Sequence, residues 1–211
     1  MYAFSRSVRL APGNAREAMT WTSEVTEQVN QITGLGVRLF TQVWSPELGR
    51  VSWACFVPDL SALEAANDKL LADDSFAAKV DQGARFLSGG VDDTLAQILH
   101  GTPDPNRNIE YVTAVRAVCA HGNIQRGIAV GMEIAQKAES ITGLPTLFMS
   151  GATGVYGQVS WATGHENVQS IDAAQAALMG DPSWMQLIDD KAGEVYAQAP
   201  PPMQIVLRRL G

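Results

Sequence analysis

The feature that most constrains this chain is an internal repeat. The sequence Ile-Thr-Gly-Leu stands at 32–35 and again at 141–144, an offset of 109 residues. Val-Ser-Trp-Ala stands at 51–54 and again at 159–162, an offset of 108 residues. Two identical tetrapeptides in the same order and at almost the same offset predict that the second half of the chain repeats the fold of the first.

The repeat divides the 211 residues into two parts of nearly equal length. We predict a first unit at 1–101, a linker at 102–108 and a second unit at 109–211. The linker contains two prolines, two asparagines and an aspartate, which form turns and interrupt helices and strands. Each unit has the length of a small domain.

Both halves begin with a strand-like run and continue with an amphipathic helix. Apolar residues in this helix recur at steps of three and four residues. Asn14 and Asn123 are the predicted N-caps. The helices are predicted to end at Gly34 and Gly143, because glycine accepts the left-handed conformation that commonly follows a helix.

The rest of each half predicts two strands joined by a turn, a second helical region and a last strand. The turn covers 45–49 in the first half and 153–157 in the second. The second helical region is broken in the middle, near 73–75 and 180–183, where glycine, proline and capping residues cluster. Each half therefore has the order β-α-β-β-α-β.

In such a unit, helices cover one face of the sheet and the other face is bare. A second unit of the same kind on the same chain can cover the bare face. The order of elements, the unit length and the broken helical step at Leu178–Trp184 and Leu71–Phe76 resemble the dimeric α/β-barrel superfamily of ferredoxin-like domains. The resemblance implies an α+β fold, in which two tandem ferredoxin-like units pair sheet to sheet into an α/β barrel.

The resemblance also implies a cavity for a small molecule in each unit. Members of the superfamily include cofactor-independent monooxygenases of aromatic polyketides, muconolactone-type isomerases, haem-degrading enzymes and chlorite dismutase-like haem proteins. Because one fold supports so many reactions, function has to be argued from the residues of the site.

Composition narrows the classes of partner. The net charge of −7 argues against nucleic acid, whose phosphates require clustered Lys and Arg. No run approaches the roughly 20 apolar residues of a membrane-spanning helix, and the first residues lack a signal-peptide pattern. We therefore expect a cytoplasmic protein with a small-molecule ligand and no membrane partner, while a homo-oligomer stays open. Cys55 and Cys119 lie in apolar runs and are expected to be buried free thiols.

Trp53 and Trp161 occupy the same position in the two copies of the repeat. Each indole can form the wall of a site for a flat aromatic ligand, or it can simply fill the core. Tyr111 is a third candidate substrate-binding residue, because the second half is the richer in groups that can transfer a proton.

Arg9 and Arg116 follow a valine in the first strand of each half, so the sequence suggests that they repeat as well. If they point inward, they are candidate catalytic residues that hold an anionic oxygen of the substrate. If they point outward, they are merely solvated.

The three histidines do not match across the halves. His121 lies in a loop of the second half and is the candidate base for proton transfer. His165 follows the third strand of that half and is the candidate axial ligand if haem binds. His100 is expected to be structural. Each histidine also has an ordinary structural interpretation, and no set of residues has the spacing of a metal site.

Three hypotheses of function follow. The first is a cofactor-independent monooxygenase or isomerase acting on an apolar or aromatic substrate, with the Trp, Arg and His121 side chains in the roles given above. The second is a haem-binding protein that uses His165. The third is a non-catalytic assembly or ligand-carrier protein.

Overall fold

The structure is a computed structural model that describes residues 1–46 and 48–211. Glu47, in the predicted turn at 45–49, lies outside the described residues. The chain divides into two compact units, one formed by Met1–Leu95 with Arg209–Gly211 and the other by Ala96–Arg208. We call them unit 1 and unit 2. The sequence-based division into 1–101, 102–108 and 109–211 stays a prediction.

The first half has the predicted β-α-β-β-α-β order, with the second helical region split in two. Strands β1, β3 and β2 are hydrogen-bonded in that order, and all neighbours are antiparallel. The elements are β1 (Tyr2–Arg9), α1 (Ala15–Thr33), β2 (Arg38–Val43), β3 (Arg50–Val57), α2 (Leu60–Leu71), α3 (Asp74–Gly83) and β4 (Asp92–His100).

The second half repeats this order. Strand β5 lies between β8 and β7, and β6 lies between β7 and residues 96–100 of β4. The elements are β5 (Tyr111–Val118), α4 (Ile124–Thr142), β6 (Thr146–Gly151), β7 (Gln158–His165), α5 (Val168–Gly180), α6 (Pro182–Leu187), α7 (Gly193–Val195) and β8 (Met203–Leu210).

The predicted ends of the long helices are confirmed, and Asn14 and Asn123 occupy the predicted N-cap positions, but without the expected side-chain bond. Gly34 and Gly143 have φ angles of 72° and 69°, the left-handed region that glycine enters without steric cost. Asn14 and Asn123 precede the two helices, but neither side chain bonds to the helix. The side-chain caps belong to the shorter helices, at Asp59, Asp73, Asn167 and Asp181.

Strand register fixes which residues of the two units are equivalent. Trp53 lies opposite Arg6 in the β1–β3 pair, and Trp161 lies opposite Val115 in the β5–β7 pair. The equivalent of Arg6 is therefore Val115. The suggested repeat of Arg9 and Arg116 is wrong, because Arg116 lies opposite Ser160 and so corresponds to Ser7, two residues before Arg9.

Each unit has a core built around the tryptophan of the repeated Val-Ser-Trp-Ala sequence. Trp53 and Trp161 are each 8% exposed. The Trp161 indole N–H donates to the carbonyl oxygen of Gly131 at 2.8 Å. The Trp53 indole N–H donates to Thr26 Oγ1 at 2.9 Å and lies 3.4 Å from the carbonyl oxygen of Thr22. These bonds join the third strand of each unit to its first helix.

The structure bears on the predictions for the two cysteines and for a membrane-spanning helix. Cys55 and Cys119 are free and buried, as predicted. Among residues 1–46 and 48–211, no helix has both the length and the apolar character that crossing a membrane requires.

Gly131 provides a test of the helix–sheet packing in unit 2. A Cβ atom at this position would lie 2.2 Å from the Phe148 ring, so Gly131→Ala forces the ring or the helix to move. We expect this variant to lose about 1–3 kcal/mol in the free energy of unfolding, measured by urea denaturation. This is a net loss: the cost of the clash with Phe148 outweighs the roughly 1 kcal/mol by which alanine normally stabilises a helix relative to glycine.

Gly180→Ala is the matched control, because a Cβ there would meet open space. This variant should be as stable as the wild type or slightly more stable. Equal stability of Gly131→Ala and the wild type would contradict the described packing.

Candidate functional site

Each unit contains a cavity between one face of its sheet and its helices. The cavity of unit 2 has a volume of about 270 Å³, and that of unit 1 has a volume of about 440 Å³. Small-molecule sites usually measure about 300–1,000 Å³, so both cavities lie at the lower end of that range or just below it.

Strands β5 and β7 and helices α4 and α5 supply most of the unit 2 wall. Alternate residues of the strands face the cavity, since successive side chains of a strand point to opposite faces. The lining residues that the following argument uses are Thr113, Thr146, Trp161, Thr163, His165, Trp184 and Tyr196.

Trp161 forms part of this wall and also fills the core. Its ring lies against Phe148 at a centroid distance of 5.3 Å and meets Tyr196 edge-on at 5.4 Å. Its N–H donates to the Gly131 carbonyl oxygen, so the indole can offer a ligand only its apolar faces. Trp161 therefore both packs in the core and forms part of the cavity wall.

His165 is the most deeply buried polar group of the cavity wall, at 2% exposure. Its Nε2 atom lies 3.0 Å from Thr113 Oγ1, and its Nδ1 atom lies 3.2 Å from Ser170 Oγ. Ser170 is held at the start of α5, where its backbone N–H donates to the Asn167 side chain at 2.9 Å. One hydroxyl can accept from the ring N–H while the other donates to the bare nitrogen, as a neutral imidazole requires.

The surroundings of His165 favour its neutral form. Burial lowers the pKa of the imidazole, because a charged ring would lose its hydration. A hydrogen bond with the backbone of Ser170 opposes the change, and the positive charge of Arg107 lowers this pKa further. The ring is therefore uncharged at neutral pH and can accept a proton.

Three further hydroxyls of the wall, those of Thr146, Thr163 and Tyr196, have protein partners. Thr146 Oγ1 and Thr163 Oγ1 lie 2.8 Å apart. The Tyr196 hydroxyl donates to the Gly127 carbonyl oxygen at 2.7 Å, and burial raises the pKa of this phenol, so it stays protonated. Within the described part of the chain, no Asp, Glu, Lys or Arg lines the unit 2 cavity.

The unit 2 wall offers haem little besides His165 itself. Each ring nitrogen of His165 has a hydroxyl partner, and binding iron would replace the contact with Thr113 or with Ser170. The described lining also lacks a Lys or Arg that could pair with the haem carboxylates. In residues 1–46 and 48–211, no group of three or more His, Cys, Asp and Glu side chains is arranged to hold a metal ion.

The unit 1 cavity has a different wall. Trp53 lines it, together with Trp21, Phe4 and Phe76, and the described lining contains no histidine. Val57, which is 1% exposed, occupies the position that corresponds to His165. The two cavities therefore share their frame and differ in their chemistry.

The structure brings together only part of the set of candidate residues from the sequence. Trp161 and His165 line the unit 2 cavity, and Trp53 lines the unit 1 cavity. His121 is exposed and belongs to neither described lining, and Arg9 is likewise exposed and outside both.

Arg116 and Tyr111 are half-buried and also lie outside both linings. Arg116 directly follows Val115, a lining residue, so strand alternation places it on the opposite face of the sheet. Tyr111 lies opposite His165 in the β5–β7 pair, and the Arg208 guanidinium lies 6.0 Å from the centre of its ring.

Sequence reasoning missed the threonines that surround His165. A signal was present, because Thr113, Thr146 and Thr163 stand where the first half has Phe4, Val37 and Cys55. Recognising this signal required the correct alignment of β1 with β5. The sequence match of Arg9 with Arg116 shifted that alignment by two residues.

Solved structures share this fold at low sequence identity. A candidate monooxygenase from Fusobacterium nucleatum superposes with a TM-score of 0.71 at 9% identity, covering 100% of this chain and 92% of that one. An anthrone oxidase-like protein gives 0.65 at 11% identity, covering 100% and 91%. A haem-binding protein from Thermus thermophilus gives 0.54 at 13% identity, covering 100% and 91%.

These neighbours are dimeric α/β-barrel proteins, and the chain has their fold. The predicted fold class, α+β with ferredoxin-like units of the dimeric α/β-barrel kind, is confirmed. No protein-family profile matches the chain, and no curated protein matches it in sequence.

The pKa of His165 can be measured by long-range ¹H–¹⁵N NMR. We expect titration below the ordinary histidine value of about 6.5, because burial opposes the charged ring. The unfolded chain then binds a proton at a higher pH than the native protein. Stability should therefore fall as the pH drops from about 6.5 towards the native pKa.

In His165→Gln, this part of the pH dependence should be absent. Titration of His165 at or above 6.5 would contradict the description of a buried neutral ring.

Proposed function

We propose that the unit 2 cavity binds a small aromatic compound with an acidic C–H group and that His165 acts as the general base in its cofactor-independent oxygenation. The observation that carries the proposal is a neutral histidine buried in an otherwise uncharged wall. Two structural neighbours, a candidate monooxygenase and an anthrone oxidase-like protein, support this class of reaction.

The cavity walls suit a flat and largely apolar substrate. Trp161 and Trp184 present ring surfaces, and offset or edge contacts between aromatic rings stabilise bound aromatic ligands. The side-chain amides of Gln175 and Gln204 and the hydroxyls of Thr146 and Thr163 are polar groups of the wall that a ligand oxygen can meet. A charged substrate would find no ionic partner in the described wall and would lose its hydration.

Anthrone illustrates the reaction, with dioxygen as the oxidant. His165 removes one proton from the CH₂ group between the rings, and the ring system carries the resulting negative charge. A carbon–oxygen bond then forms with dioxygen, and return of the proton gives a hydroperoxide. Loss of water, which takes the second hydrogen of the CH₂ group, leaves a carbonyl. One anthrone and one O₂ thus give one anthraquinone and one water.

Proton transfer is assigned to His165 and not to His121 because of their positions. A base must come within hydrogen-bond distance of the proton that it removes. His165 lines the cavity, while His121 is exposed and outside the lining. The Thr113 hydroxyl can rotate away from Nε2 and leave this nitrogen free to accept the proton.

The test is oxygen consumption and anthraquinone formation with anthrone as the probe, corrected for the rate without protein. His165→Gln keeps a polar side chain but removes the base, and should lower kcat by about 10²–10⁴-fold. The wild-type rate should rise with pH through the native pKa of His165.

His121→Gln is the matched control, since it makes the same change at an exposed loop and should retain the wild-type rate. A rate lost in His121→Gln and kept in His165→Gln would refute the assignment, as would a wild type no faster than buffer. Addition of haem should give the same absorption spectrum with the wild type and with His165→Gln, and a Soret shift that requires His165 would favour the haem-binding alternative.

A further inference from the structure

Unit 1 contains the larger of the two cavities, and its wall lacks the polar groups of the unit 2 wall. Position by position, hydroxyl and imidazole groups in unit 2 are replaced by side chains that are apolar or carry a thiol. The equivalent pairs, unit 2 residue first, are Thr113 and Phe4, Thr146 and Val37, Thr163 and Cys55, and His165 and Val57.

The two indole N–H donors of the unit 1 wall are already bonded within the protein. The Trp21 indole N–H donates to the Lys79 carbonyl oxygen at 2.9 Å, and the Trp53 indole N–H donates to Thr26. Burial raises the pKa of the Cys55 thiol to about 11, so this group is uncharged at neutral pH. The inner part of the cavity can therefore accept apolar groups but cannot hold a charge or supply a base.

Charged groups stand only at the exposed part of the lining. Arg6 and Asp93 form a bidentate ion pair, with nitrogen–oxygen distances of 2.8 and 2.7 Å, and their side chains are 45% and 44% exposed. Glu64 is exposed as well. One positive and two negative charges in the lining disfavour an anionic ligand.

Three apolar side chains of the same lining are exposed as well. Leu60, Val80 and Val91 line the cavity and are 49%, 44% and 53% exposed. Neighbouring exposed apolar residues at the edge of a cavity indicate a surface that binding would cover. Water would gain little there, because an apolar cavity offers it few hydrogen bonds.

We propose that the unit 1 cavity is a second ligand site, which binds an uncharged, mainly apolar molecule whose single hydrogen-bonding end group lies at the Arg6–Asp93 pair. It is a binding site without proton-transfer chemistry, separate from the reaction proposed for unit 2. The observations behind it are the apolar inner wall, the two indole donors that already have partners, and the exposure of all three charged residues of the described lining.

The first test uses N-phenyl-1-naphthylamine, an uncharged probe that fluoresces in apolar surroundings. Ala66 in α2 and Ala174 in α5 are equivalent residues that line the two cavities, so each cavity can be filled by the same change. Because the probe is itself aromatic and can also enter unit 2, Ala174→Phe serves as the background: it should still bind the probe, and the double variant Ala66→Phe/Ala174→Phe should bind it at least about tenfold more weakly.

Anthrone oxidation separates this proposal from the proposed function. Ala66→Phe should oxidise anthrone at the wild-type rate, and Ala174→Phe should not. Absence of probe binding to the wild type, or loss of binding in Ala174→Phe alone, would overturn the second site and leave the reaction in unit 2 unaffected.

A head-group series tests the chemical class of the ligand. 1-Octanol, octanoate and octylammonium share one chain, and each can be measured by displacement of the probe. Octanoate should compete at least about tenfold more weakly than 1-octanol, since a carboxylate would lose hydration beside two negative groups. Equal or stronger competition by octanoate would overturn the assignment to an uncharged ligand.

Cys55 gives a second measurement that uses the wild-type protein and does not depend on the folding of a filled variant. It lines the unit 1 cavity, while Cys119 lines neither cavity. Saturating 1-octanol should slow alkylation of Cys55 by N-ethylmaleimide at least about fivefold and leave that of Cys119 unchanged, as read by mass spectrometry of peptides. Equal rates with and without 1-octanol at Cys55 would overturn the proposal.

Discussion

The structure depends on one hydrogen bond that occurs in both units, between a strand tryptophan and the first helix. Trp161 donates to the backbone of Gly131, and Trp53 makes the corresponding contact with Thr22 and Thr26. An indole is large and rigid, so a ring held in this way fixes the distance between sheet and helix. The rest of that space is then closed by the second helical region, and what those side chains do not fill remains as a cavity.

The two units share the same packing of helix on sheet but differ in the chemistry of their cavities. Burial keeps the buried group uncharged in each unit, and that group is an imidazole in unit 2 and a thiol in unit 1. In unit 2, burial keeps the imidazole of His165 neutral, and hydroxyls on both sides hold it in place. In unit 1, burial keeps the Cys55 thiol protonated, and no imidazole is present in the described lining. A duplicated fold thus retains its packing while its two cavities diverge in what they can bind and in whether they can move a proton.

The repeat made the fold predictable, because two identical tetrapeptides fixed the order of elements and the equivalence of Trp53 and Trp161. The candidate site was less predictable. The assignment of proton transfer to His121 rested on its loop position, and the sequence could not show that His165 is the buried one. The match of Arg9 with Arg116 failed because a two-residue error in strand alignment leaves the face unchanged and so produces no conflict in the hydrophobic pattern. Asn14 and Asn123 were predicted at the correct N-cap positions, but residue type alone could not show that their side chains make no bond to the helix.

The claim that the two cavities differ in chemistry, with the reactive one in unit 2, is tested most directly by a crystal structure with a hydroxyanthraquinone, a compound of the proposed product class. The account predicts electron density for the ligand in the unit 2 cavity, with a ring against Trp161 and a ligand oxygen within hydrogen-bond distance of His165 or Thr113. Density in the unit 1 cavity alone, or a ligand in unit 2 that leaves His165 without contact, would contradict it.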